Sequence, residues 1–224
     1  MRKLFLIFLI SSFVSCEFGK TKVVTGPDLI DQSIRFHDPN DAWRNFSGTF
    51  SIIDSLPAGK DSRAYELSFQ NQLNKMHYRK DDLEFIVWED SVYVFKGEID
   101  QDRALMLRNY YGYLWGLPMK LKDPGITVDA QIFEEELNGK SFQVVRVPYP
   151  KDTWYFYFDP QTTQLEAYKF YPNDADKKGE IIFLEGILES EGLKIPKNRS
   201  WFLLENNEFL GTDRLKSISQ QNVD

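Results

Sequence analysis

Two histidines, His37 and His77, and a single cysteine, Cys16, are all the soft ligands this 224-residue chain offers. Two imidazoles supply neither an H-E-x-x-H helix nor a three-histidine zinc site, so no metal is expected. No serine stands in G-x-S-x-G, and neither G-x-x-x-x-G-K-[ST] nor G-x-G-x-x-G occurs, so the signatures of a nucleophile elbow, a phosphate loop and a dinucleotide turn are missing. Glu134-Glu135-Glu136 and the pair Asp174 and Asp176 lack calcium-loop spacing and read as solvated faces. His37, beside Asp38, falls at the end of an expected helix, where the helix dipole favours a cationic imidazole. His77, between Met76 and Tyr78, reads as a rim residue of a short strand. No cofactor is expected, and an enzyme is the least favoured class because no motif supports one.

What remains is aromatic. Residues 109–125 pack three tyrosines, a tryptophan and two prolines between an expected helix and an expected strand, where loops are usually polar. The bland reading is that Trp115 and Leu117 plug a core. The functional one is that Tyr110, Tyr113, Trp115 and Leu117 contact a ligand or partner, with Gly112 and Gly116 letting the stretch move as a lid. In 153–158, alternation sends Trp154, Phe156 and Phe158 to one face and Tyr155 and Tyr157 to the other. The first set completes the candidate ligand-binding residues.

One covalent modification is marked. Met1, Arg2 and Lys3 precede an apolar run, 4–10, and then small residues up to Cys16, which is the pattern of an export signal. The run is too short for the roughly 20 apolar residues of a membrane span. Phe13-Val14-Ser15-Cys16 is similar to a lipobox, which implies cleavage before Cys16 and attachment of diacylglycerol and a further acyl chain there. Each buried CH₂ of such an anchor contributes about 0.8 kcal/mol, so two or more chains hold a protein at a membrane stably. With one cysteine, no intramolecular disulfide is available.

The elements that must position these residues are mostly strands. Aromatics make up 15% of the chain, which favours β structure. Strand-like runs fall at 46–54, 63–70, 75–79, 83–89, 92–96, 127–137, 141–147, 153–158, 164–171, 179–189, 199–205 and 209–214. Asn138-Gly139, Asp159-Pro160, Glu191-Gly192 and Asn206-Asn207 lie between them, so neighbours are expected to pair as antiparallel hairpins. Helices are expected around Leu29, Ile30 and Ile34, ending at Asp38-Pro39, and over 99–113. The division expected is a signal peptide at 1–15, a flexible tether at 16–26, one domain at 27–217 and a polar tail at 218–224. A net charge of −7 with no basic tract argues against nucleic acid. Several strands are apolar on both faces, so something is expected to cover the second face.

Phe36-His37-Asp38-Pro39 with Trp43 and Phe46, the 111–125 stretch, 154–160, and Gly192-Leu193-Lys194-Ile195-Pro196 with Trp201 together resemble a family of uncharacterised bacterial lipoproteins. More remotely, the chain is similar to the lipoprotein carriers LolA and LolB. That resemblance implies an α+β, mostly β fold: one curled antiparallel sheet, a half-barrel of about eleven or twelve strands, with two or three helices over its concave side. It implies a lipid-anchored, monomeric protein of the bacterial cell envelope, on the periplasmic face of the outer membrane, that binds a lipid or lipoprotein acyl chain or another hydrophobic ligand. The alternatives are a structural or protein-interaction lipoprotein without ligand, and an envelope enzyme with an unrecognised site.

Overall fold

The computed structural model describes residues 24–58 and 60–220; the expected signal peptide, Cys16 and most of the tether lie outside them. Helix α1, Gly26–His37, begins where Thr25 forms a capping box with Asp28 and Pro27 occupies the first turn, where a missing N–H costs nothing. It ends at Asp38-Pro39, and the Asp38 carboxylate accepts from the amides of Ala42 at 2.7 Å and Trp43 at 2.9 Å. Helix α2, Gln101–Trp115, is capped by Asp100, which accepts from the Arg103 amide at 3.1 Å.

Twelve strands form one antiparallel sheet: β1 Ser47–Ser55, β2 Arg63–Gln70, β3 Lys75–Lys80, β4 Leu83–Trp88, β5 Ser91–Lys96, β6 Ile132–Leu137, β7 Lys140–Pro148, β8 Thr153–Phe158, β9 Leu165–Asn173, β10 Lys178–Ser190, β11 Leu193–Leu203 and β12 Phe209–Gln220. Their order is β5-β4-β3-β2-β1-β12-β11-β10-β9-β8-β7-β6, so β5 and β6 are free edges and the sheet does not close. Two meanders, β1 to β5 and β6 to β12, meet where the first strand pairs with the last. The chain leaves β5 at one edge and enters β6 at the other, so its connection must cross the whole sheet, and α2 is that crossing. Asn138-Gly139 and Glu191-Gly192 have positive φ at both positions, which matches the twist of two-residue hairpins.

The strands expected from sequence are all present, with three shifts in extent. The segment expected to start at 127 becomes a strand only at Ile132, and β11, expected to start at 199, begins already at Leu193. Pro196 is tolerated because at that point β11 pairs only with β10; its pairing to β12 starts at Asn198. β12 continues through Ile218 and Ser219 to Gln220, residues expected in a polar tail, and these pair with β1.

The concave face holds two apolar clusters. Phe50, Ile52, Leu67, Phe69, Met76, Phe85 and Val87 pack with Trp43 and with Ala104 and Trp115 of α2. Val145, Phe156, Phe158, Tyr168 and Ile182 pack with Leu29 and Ile30 of α1 and with Leu114, Leu117 and Leu121. The convex side of β8 is covered by its own neighbours. Lys169 lies 5.2 Å from the Tyr155 ring centroid and 5.1 Å from that of Tyr157, and pairs with Glu135 at 2.8 Å, which also accepts from the Tyr157 hydroxyl at 2.6 Å. A lysine stem and paired phenols thus roof this face, which explains strands apolar on both sides without a partner. No helix among the described residues is long and apolar enough to cross a membrane.

Candidate functional site

Residues 110–115 are the last turns of α2 and not a loop. The segment has no proline and no β-branched residue, so only Gly112 weakens it, and tertiary packing outweighs one glycine. Gly116 ends the helix, and the Leu117-Pro118 peptide that follows is cis. A Cβ on Gly116 would lie 2.7 Å from the Trp43 ring and 2.7 Å from the Gly112 carbonyl, so this glycine serves close packing. At Gly112 the space is open, with nothing within 4 Å of such a Cβ.

The sequence candidates divide into three groups. Trp115, Leu117, Phe156 and Phe158 are buried beneath the helices. Tyr110, 42% exposed, stacks on Trp201 of β11 with ring centroids 6.4 Å apart. Tyr113 and Trp154 meet at the rim with ring centroids 5.4 Å apart, and Tyr149, which sequence reasoning did not select, completes the group. The Tyr113 and Tyr149 hydroxyls are 2.6 Å apart, and the Trp154 indole donates to Asp152 at 2.9 Å. Burial raises the pKa of both phenols, that of Tyr149 to about 12, so they remain neutral donors and acceptors.

These rings, with Pro150 and Lys151, line an open cleft of about 420 Å³. Its wall leads inward, because Trp154 stacks on Phe170 at 4.8 Å, Tyr168 at 5.5 Å and Phe156 at 5.9 Å. On the other flank of α2 a cleft of about 480 Å³ runs between Gly112 and Tyr113 and the Trp43, Phe69 and Met76 side of the sheet, with Arg44, Arg108 and Lys120 at its rim. Tyr113 borders both clefts.

A row of charged residues crosses four adjacent strands that also carry the first apolar cluster. Arg199, Asp213, Asp54 and Arg63 occupy successive register positions on β11, β12, β1 and β2. Arg63 pairs with Asp54. Asp213 accepts from the Trp201 indole at 3.1 Å and the Tyr65 hydroxyl at 3.4 Å, and burial raises its pKa. Arg199, fully buried, lays its guanidinium 3.6 Å from the Trp115 ring centroid. The only signal for this row was two charged residues in the inward phase of their strands, Arg199 two before Trp201 and Asp213 two before Leu215.

His37 differs from its expected role. It is buried and neutral: the Leu165 amide donates to its Nε2 at 3.1 Å, which leaves Nδ1–H to donate to the Lys194 carbonyl at 2.6 Å. Burial lowers its pKa to about 4, against the Lys194 hydrogen bond and with help from the Arg199 charge. It ties α1 to β9 and β11 and is not a cation at the helix end. His77 bonds to Glu84 at 2.9 Å, half-exposed, as a rim residue would. Among the described residues no cluster of three or more His, Cys, Asp or Glu side chains could hold a metal ion.

An unclosed antiparallel sheet with helices lying across its concave side defines a LolA-like half-barrel. A LolA superfamily protein from Nitrosomonas europaea superposes with a TM-score of 0.58 at 9% identity, covering 90% of this chain and 96% of that one. A DUF1329 family protein from Desulfovibrio piger gives 0.53 at 10% identity, covering 90% and 95%. At such identity the likeness is one of fold. Residues 89–217, more than half of the chain, match the family of unknown function DUF6503, and the chain belongs to that family. No curated protein matches it in sequence.

Proposed function

We propose that this protein is a lipid-anchored component of the bacterial cell envelope that binds an acyl chain or another hydrophobic ligand on the concave side of its half-barrel. One observation carries the reading: an aromatic, apolar concave face is covered by helices instead of a second sheet, and α2, its main cover, is flanked at Tyr113 by two clefts of about 420 and 480 Å³. Clefts of this size, with a few polar groups at the rim, suit small hydrophobic ligands. Tyr113 and Trp154 stand at the mouth, and Trp115, Leu117, Phe156 and Phe158 form the interior a chain would displace. Tyr110 stands outside the mouth, beside Trp201.

Acylation of Cys16 places the protein at the membrane, on the periplasmic face of the outer membrane, as a monomer. The domain proposed at 27–217 takes in Gly26, the first residue of α1, at one end and β12 to Gln220 at the other. Titrating delipidated protein with a fluorescent fatty-acid derivative tests the binding role. Saturable one-to-one binding is expected, and no binding by the delipidated chain overturns it.

A second reading, a protein-interaction lipoprotein, is favoured by edge strand β5. Tyr93, Val94 and Phe95, the last 64% exposed, stand on it beside Trp88, whereas edge strands are usually blunted by charge or proline. Pull-down by the delipidated chain without any bound lipid would favour this reading.

A further inference from the structure

Arg199 on β11 and Tyr168 on β9 reach the centre of the concave face from either side of β10, and both are fully buried. Arg199 Nε and the Tyr168 hydroxyl have no well-aligned hydrogen-bond partner; the guanidinium is near enough to donate loosely to the phenol oxygen, which still leaves the Tyr168 O–H without an acceptor. The other guanidinium nitrogens are occupied, Nη1 by the Pro196 carbonyl at 3.0 Å and Nη2 by the Leu114 carbonyl at 3.3 Å. The two groups sense each other, since burial raises the Tyr168 pKa and the Arg199 charge is the first influence drawing it back.

A buried donor without an acceptor costs about 1–3 kcal/mol, and native interiors leave few such groups. Two on neighbouring side chains beneath one helix mark a place that receives an acceptor. The charge of that acceptor follows from the row. Asp213 and Asp54 already offset Arg199 and Arg63 in number, so a carboxylate or phosphate would add an uncompensated buried negative charge, which is costly. A carbonyl oxygen accepts two hydrogen bonds without net charge.

We propose that Arg199 Nε and the Tyr168 hydroxyl form a polar subsite for the ester or amide carbonyl of an acyl chain, so that this half-barrel selects esterified or amide-linked chains over free fatty acids. The inference rests on the hydrophobic-ligand reading above and deepens it. Trp154, stacked on Tyr168 at 5.5 Å, links the subsite to the aromatic cleft.

The test titrates the delipidated full chain with methyl laurate, laurate and the straight-chain alkane of equal length, reading tryptophan fluorescence. Methyl laurate is expected to bind roughly tenfold more tightly than the alkane, the gain of one well-made buried hydrogen bond, and more tightly than laurate. Tyr168→Phe, which removes the hydroxyl and keeps the ring, is expected to fold and to lose most of the ester preference over the alkane. Carbonyl-labelled methyl laurate should show a lowered C=O stretch when bound to wild type and a smaller shift in Tyr168→Phe. Equal affinity for ester and alkane, as when water alone fills the subsite, overturns the proposal and leaves the binding role standing. Tighter binding of laurate overturns it in favour of an anion site. Failure of all three ligands to bind overturns both.

Discussion

Arg199 of β11 holds its guanidinium 3.6 Å from the centre of the Trp115 ring and donates to the carbonyl of Leu114, so one buried side chain fastens the end of α2 to the middle of the sheet. Trp115 also meets Phe50 edge-on at 5.6 Å. The tryptophan is therefore core, placed between the cation and the first apolar cluster. Trp115→Ala is expected to lose about 3–5 kcal/mol of stability, as large-to-small changes at buried tryptophans do, measured by urea unfolding. A change under about 1 kcal/mol would mean that the ring is not packed as described, since truncations at packed sites cost several times that. Loss of ligand binding in this variant reports on folding before it reports on the site.

A second prediction follows from His37. Its imidazole is buried with both nitrogens bonded, and burial holds its pKa at about 4 against the ordinary 6.5. As pH falls below about 6.5 the unfolded chain takes up the proton first, so the folded state loses up to about 1.4 kcal/mol per pH unit until about pH 4. Above that window the contribution is complete. The total is about 3 kcal/mol. His37→Gln is expected to be less stable at neutral pH and to lack this slope. Urea midpoints between pH 4 and 7 that fall equally in wild type and variant would show that other groups carry the acid sensitivity.

The same residue shows how far the sequence could be read. Strand periods, Asn-Gly and Glu-Gly turns and the Asp38-Pro39 stop are local signals, and they located twelve strands and both helices. Long-range pairing decided the rest. His37 looked like a helix-end cation because its partners, Leu165 and Lys194, are over a hundred residues away. Tyr149 joined the aromatic cleft only through α2, and the row from Arg199 to Arg63 exists only because β1 pairs with β12. The helix expected over 99–113 runs on to Trp115 because Leu114 and Trp115 bury themselves against the sheet, and Gly116 then ends it.

Cys16 yields a third prediction, motivated by its place after the apolar run and by its uniqueness. Cys16→Ser is expected to release a folded protein from the membrane fraction with an unchanged melting temperature, because no described element includes that residue. Labelled palmitate should enter the wild type only. Incorporation into the Ser variant would remove the assignment of the anchor to this position.

The fourth prediction separates fold from function at Gly112 within α2 and Gly116 at its end. Gly112 sits within the helix with open space beyond its Cα, facing the cleft of about 480 Å³, whereas Gly116 is packed against Trp43 and Lys120. Replacing a helix-interior glycine by a better helix former gains about 0.5–1 kcal/mol when nothing clashes. Gly112→Ala and Gly112→Leu should therefore both raise the urea midpoint, while Gly116→Ala should lower it because its new methyl meets the indole. The leucine side chain would also extend into the cleft. If a hydrophobic ligand passes that flank of α2, Gly112→Leu binds the fluorescent fatty-acid derivative several-fold more weakly or more slowly than Gly112→Ala, although both are more stable than wild type. Equal affinity and equal association rates in the two variants would exclude this flank as the route and leave the cleft at Tyr113, Tyr149 and Trp154 as the mouth. There, Tyr149→Ala removes the phenol that bonds Tyr113 from a half-exposed site, so binding should weaken with little loss of stability.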